Sequence, residues 1–148
     1  MDYRKLGNKY YIRLDRGEEI MSSLLEICRI EGIASATYMG IGGCQSADIQ
    51  TFMPALGKFS TEHVEGMLEL ISFMGNIITD EAGKLYYHTH AIYALEENGQ
   101  QRVVAGHIKA STVLYTAEIE LNPVEGGVIM RQPDPETGTG FWSFQEIE

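Results

Sequence analysis

The stretch Leu85-Tyr86-Tyr87-His88-Thr89-His90-Ala91-Ile92-Tyr93-Ala94-Leu95-Glu96-Glu97-Asn98-Gly99-Gln100-Gln101-Arg102-Val103-Val104-Ala105-Gly106-His107-Ile108 decides how the rest of the chain is read. Its two arms are rich in β-branched and aromatic residues and flank Asn98-Gly99, the strongest short hairpin signal, because a type I′ turn needs positive φ at both central residues. With Asn98-Gly99 as the turn, His90 stands eight residues before it and His107 eight after it, so the two face each other across the strands. Directly opposed residues share a face with Cβ atoms about 5 Å apart. His88, two residues before His90, lies on that face too, because side chains alternate along a strand. Diagonal neighbours stand roughly 7 to 8 Å apart, a span that two imidazoles close around one ion. A His-x-His pair alone is common on sheets that bind nothing; the registered third histidine predicts a metal site at His88, His90 and His107. Three neutral imidazoles form a catalytic-type set for zinc or a similar divalent ion and leave one position open for water or a small ligand. His63 is a candidate fourth ligand, read against the alternative of a solvated loop histidine.

Working outwards, Ile20, Leu24, Ile27 and Cys28 recur at i, i+4, i+7 and i+8, with Met21 and Leu25 widening the stripe. The spacing predicts a helix from Gly17 to Glu31. Asp15 is its expected cap, Glu18 and Glu19 suit the positive end of the dipole, Arg29 suits the negative end, and Gly32 suits a left-handed stop. The remaining apolar runs read as strands at Tyr10 to Leu14, Ala34 to Met39, Ala47 to Phe52, Met67 to Ile78, Leu85 to Leu95, Arg102 to Ile108 and Thr112 to Leu121. Pro54 to Gly66 and Arg131 to Gly140 read as loops. Phe141-Trp142-Ser143-Phe144 reads as a last strand packed on the sheet rather than a partner-binding tail. With no regular βαβα alternation, the expected fold is α+β, a mostly antiparallel β-sheet with one main helix packed on it, in a single domain spanning 1–148.

Composition limits the functions. The chain of 148 residues carries 21 acidic against 11 basic residues, a net charge of −10. That field opposes unaided binding to nucleic acid or to an anionic membrane. The first residues form no apolar signal core, and no run of about 18 apolar residues occurs, so neither export nor membrane insertion is expected. Cys28 and Cys44 are too far apart for a CxxC motif and read as reduced, buried thiols of a cytoplasmic protein. Glu69 interrupts the apolar run Met67-Leu68-Glu69-Leu70-Ile71-Ser72-Phe73-Met74. It is expected to be solvated at an edge, protonated, or paired with a cation or metal. Beside a metal-bound water it would serve as general acid or base. Glu118 and Glu120 share one face of an alternating strand and are expected to face solvent. Gly40-Ile41-Gly42-Gly43 matches no phosphate-binding pattern and points to a strained turn or close backbone approach. No serine sits in a nucleophile-elbow motif.

Taken together, the early helix, Gly40-Ile41-Gly42-Gly43, Leu68-Glu69-Leu70-Ile71-Ser72-Phe73-Met74-Gly75, His88-Thr89-His90, Gly106-His107 and Thr116-Ala117-Glu118-Ile119 resemble the PPC domain, named for its occurrence in plants and prokaryotes. The resemblance covers nearly the whole chain. It implies an α+β fold built around an antiparallel sheet, a homotrimer, and metal binding by His88, His90 and His107. It also links the fold to acetolactate decarboxylase, a zinc enzyme with an analogous three-histidine site. Plant relatives grip DNA through separate AT-hooks, and the family is often labelled DNA-binding. Here the Arg-Gly-Arg core of an AT-hook is missing, and Gly66-Met67-Leu68-Glu69 departs from the Gly-Arg-Phe-Glu of plant members, which counts against direct DNA binding. The expected function is a homotrimeric metal-binding module with a binding or regulatory role and room for a small-molecule ligand at the metal. The alternative is a metal-dependent lyase or decarboxylase acting on a small oxygenated acid, with Glu69 as acid/base.

Overall fold

Period-2 alternation over most of the chain, interrupted by one helical stripe, produces eight strands and one helix among the described residues. These are 1–136 and 140–146 of the computed structural model. In order they are β1 (Asp2–Leu6), β2 (Lys9–Asp15), α1 (Ile20–Glu31), β3 (Ala36–Met53), β4 (Lys58–Thr79), β5 (Leu85–Glu97), β6 (Gln100–Pro123), β7 (Gly127–Pro133) and β8 (Gly140–Glu146). The fold is broadly α+β, with the sheet dominating and one short helix.

The stripe of α1 lies where expected: Ile20, Met21, Leu24, Ile27 and Cys28 are buried, the isoleucine, leucine and methionine side chains each contributing about 1.5–3 kcal/mol of transfer free energy if fully removed from water. Its start differs. Glu19, not Asp15, caps the helix, its carboxylate accepting from the Met21 and Ser22 amides. The chain cannot turn helical at Gly17, because Gly17 N–H donates to Val113 and Glu18 accepts from the Val113 N–H. Asp15 stays at the end of β2, where its carboxylate takes the Met1 amine and Arg13. At the other end Gly32 adopts φ 67°, and the Ile33 N–H returns to the Cys28 carbonyl at 2.8 Å, satisfying an end carbonyl as the left-handed stop requires.

Strands β3 to β6 close on one another: β3 pairs with β4 and β6, and β5 pairs with β4 and β6, all antiparallel. β2 extends the sheet from β6 and β1 from β2. The β7–β8 hairpin joins β4 through one parallel pair, Thr79 with Met130. The inner face shares one core with α1, including Leu14, Leu24, Ile27, Leu68, Phe73, Tyr93 and Val113. The outer face leaves Met39, Ile41, Met67, Ile71, Met74 and Ile92 exposed.

Several expectations are corrected. Ala34–Met39 and Ala47–Phe52 belong to one bulged strand, β3, and Arg102–Ile108 and Thr112–Leu121 to another, β6. Only Pro54–Leu56 of the expected loop before Gly66 is a 3-10 turn; from Lys58 onward the chain is strand, paired residue by residue with β3. β1 had no apolar signature and was not anticipated. β7 runs to Pro133, and residues 137–139 of the expected second loop lie outside the described residues. Gly40–Gly43 is a close approach rather than a turn: a Cβ at Gly42 would meet the Thr116 carbonyl at 2.5 Å. Cys28 and Cys44 are free and buried, as expected.

Candidate metal centre

Asn98 and Gly99 adopt φ 55° and 78°, the positive pair that a type I′ turn demands. Register follows without slippage from Glu97–Gln100 to His90–His107. On its other edge β5 meets β4, with Met74 opposite His90 and Asn76 opposite His88. Thr89, Ala91 and Tyr93 point into the core, which sends His88 and His90 outward. Thr89 is pinned between them: its hydroxyl is bonded to the Tyr38 hydroxyl and reaches the Met21 sulfur. A one-residue slip would bury both imidazoles and expose Thr89, so the core specifies the face.

The ligand-capable atoms of His88, His90 and His107 lie within 4.8 Å of one another. Nε2 of His90 is 3.1 Å from Nε2 of His107. The His88 and His107 rings stack at 9°, and His90 stands at 86° and 81° to them. A tetrahedral ion with bonds of about 2.0–2.1 Å sets its nitrogens roughly 3.3 Å apart, close to the His90–His107 spacing. Burial, reinforced by the neighbouring imidazoles, holds His88 and His90 below the ordinary histidine range. They are therefore neutral at neutral pH, the state a metal ligand needs. The Phe59 ring lies edge-on to His107 at 5.3 Å between centroids.

His63 lies on β4, opposite Asp48, and not in a loop. Nδ1 meets Asp48 at 2.5 Å and Nε2 meets Glu65 at 2.9 Å. Both ring nitrogens are engaged, and Glu65 and then Asp48 raise its pKa. It is not among the clustered histidines. Glu69 is exposed on the same outer face as the histidines, between Gly43 and Ala94. Ala94 is four residues from His90, about 13 Å along the strand. There Glu69 lines a separate shallow cavity of about 500 Å³ with Met67, Ile71, Tyr115 and Glu118. Glu118 is exposed, while Glu120 is partly buried and bonded to Lys9 at 2.7 Å.

Two residues escaped sequence reasoning. Asn76 faces His88 across β4 and β5, and its side-chain oxygen is buried without a hydrogen-bond partner. Trp142, on β8, lines a cavity of about 410 Å³ together with Thr37, Met39, Met74, Asn76 and Asn122. Their placement depends on the β4–β5 register and on the terminal hairpin, neither of which leaves a mark in local sequence. Phe141-Trp142-Ser143-Phe144 does form a last strand, but all three aromatics are exposed.

The model of the Plants and Prokaryotes Conserved domain matches residues 1–125. A plant- and prokaryote-conserved protein from Pyrococcus horikoshii is 30% identical, with a TM-score of 0.80 over 99% of this chain and 96% of its own. A metal-containing protein from Archaeoglobus fulgidus is 24% identical, with a TM-score of 0.80 over 97% and 99%. A proposed DNA-binding protein from Bacteroides thetaiotaomicron is 24% identical, with a TM-score of 0.86 over 97% and 96%. No curated protein matches the chain.

Proposed function

The chain belongs to the Plants and Prokaryotes Conserved domain family, and from that premise we propose that it is a homotrimeric module binding one zinc or similar divalent ion per chain through His88, His90 and His107. The observation that carries the reading is the convergence of three imidazole ligand atoms within 4.8 Å on a face set by turn and core. Three nitrogen ligands leave one position open, which gives the module a binding or regulatory role towards a small molecule. The metal content of the Archaeoglobus relative is in keeping with this. Support for assembly comes from the outer face, where Ile41, Met67, Ile71 and Ile92 are exposed on the adjoining strands β3, β4 and β5, an apolar patch of the kind that marks an interaction surface.

Direct DNA binding is not part of the proposal. Arg4, Lys9, Arg13 and Arg102 are each paired with a carboxylate, and a net charge of −10 repels phosphate. No helix among the described residues is long and apolar enough to cross a membrane; the cytoplasmic placement rests on the buried, free thiols.

Elemental analysis of purified protein tests the reading. Close to one divalent ion per chain is expected, lost in His90→Ala and His107→Ala and retained in His63→Ala, because removing one imidazole leaves an incomplete shell. A second reading, a metal-dependent lyase or decarboxylase with Glu69 as acid/base, is favoured by the exposure of Glu69 on the histidine face. The strand distance of about 13 Å within one chain means that this reading requires a neighbouring copy to supply Glu69 to the ion. Glu69→Gln would then keep the metal and lose turnover.

A further inference from the structure

The registers of β6, β3, β4 and β5 lay two parallel tracks across the outer face, both ending at the histidines. One runs Asn122, Thr37, Asn76, His88; the other runs Glu120, Met39, Met74, His90. The first track is polar; the second is apolar through its two methionines. Residues of both tracks line the 410 Å³ cavity, and Trp142 closes one side of it. Trp142 lies outside residues 1–125, so this wall is supplied by the terminal hairpin rather than by the family domain. Neighbouring strands are about 4.8 Å apart, so the groove from β3 to the histidines of β5 is roughly 10 Å long.

Asn76 is the residue within this groove that lacks something. Its side-chain oxygen is buried and unpartnered, a state that costs about 1–3 kcal/mol unless a donor arrives. Asn76 stands directly opposite His88 across β4 and β5, with Cβ atoms about 5 Å apart. A cation held by three neutral imidazoles keeps its full positive charge, so its open position favours an anionic oxygen.

We propose that the groove between the three histidines and Trp142 binds a small carboxylate with a slender apolar body and an N–H or O–H donor next to the carboxylate end. The carboxylate occupies the open coordination position, the Asn76 amide turns its buried oxygen towards the donor, and the apolar body lies along Met74 and Met39 against Trp142. The inference rests on the metal reading above and adds the ligand's chemistry and the two residues that select it.

The test uses a matched pair of probes, isovalerylglycine and 6-methyl-4-oxoheptanoate, identical except that a CH₂ replaces the N–H. Trp142 is the single tryptophan of the chain, so its fluorescence reports groove occupancy directly. Metal-loaded protein should bind isovalerylglycine with a change in Trp142 emission and prefer it about tenfold or more over the ketone, the worth of one buried hydrogen bond. Asn76→Leu should keep its metal and bring the preference close to one. Trp142→Ala, followed by calorimetry, should weaken both probes alike. Metal bound with no Trp142 response, or a preference unchanged in Asn76→Leu, overturns the groove while leaving the metal site standing. Protein that takes up no metal overturns the three-histidine reading and this inference with it.

Discussion

Replacing Gly75 by alanine tests how the histidine face is held. The added Cβ would stand 2.2 Å from the His88 carbonyl oxygen, 2.8 Å from the Tyr38 hydroxyl and 2.9 Å from the Thr89 Cα. Two of these are backbone atoms and the third belongs to a buried side chain, so β5 must move away from β4 by roughly 1 Å to restore ordinary contact. Overpacking of this kind costs about 1–3 kcal/mol, and separating the buried Tyr38–Thr89 hydroxyl pair costs about 1 kcal/mol more. A loss of about 3 kcal/mol is expected, equivalent to a fall of roughly 2 M in urea midpoint for a domain of this size. Because the displaced segment carries His88, metal affinity should fall as well. Gly43→Ala is the control: its Cβ meets only the ring of Tyr115 at 3.0 Å, and that exposed side chain can turn aside. Urea unfolding at fixed protein concentration, with dialysis against zinc, reads both effects. Equal midpoints for the two variants would refute the claim that close β4–β5 approach positions the histidines.

Light scattering should give a particle of about three times the 16.5 kDa chain, and a 16.5 kDa particle would remove the trimer. In metal-free protein, His88 and His90 titrate below the ordinary 6.5. The unfolded chain therefore takes up protons first as pH falls, and stability should drop below 6.5. His63 acts in the opposite sense. Its pKa is raised by Glu65 and Asp48, so its contribution is fully present below 6.5 and lost as pH rises through the raised value. Melting curves of wild type and His63→Gln, in buffers either side of that pH, should differ most on the acid side; a difference growing with pH would contradict the assignment.

The hairpin was legible because Asn98-Gly99 admits one tight turn, and the turn alone fixes which residues face each other. The α1 stripe was legible for a similar reason, since its five apolar residues can be buried together only on a helix. Lys58 to Glu65 was misread because nearly every side chain there is exposed; pairing with β3, not burial, makes it a strand, and pairing is invisible locally. The helix cap was misplaced because backbone bonds from Gly17 and Glu18 to Val113 come from a distant strand. Asn76 was hidden by a bulge between Leu70 and Ser72. That irregularity shifts parity, so that Glu69, Ile71 and Met74 all face outward, and counting by twos along β4 gives the wrong face.

X-ray absorption at the metal edge of zinc-loaded protein addresses the central claim most directly. Three imidazole nitrogens at about 2.0–2.1 Å with one further light ligand are expected, collapsing in His90→Ala. A shell dominated by oxygen or sulfur, or a spectrum unchanged by His90→Ala, would contradict the account.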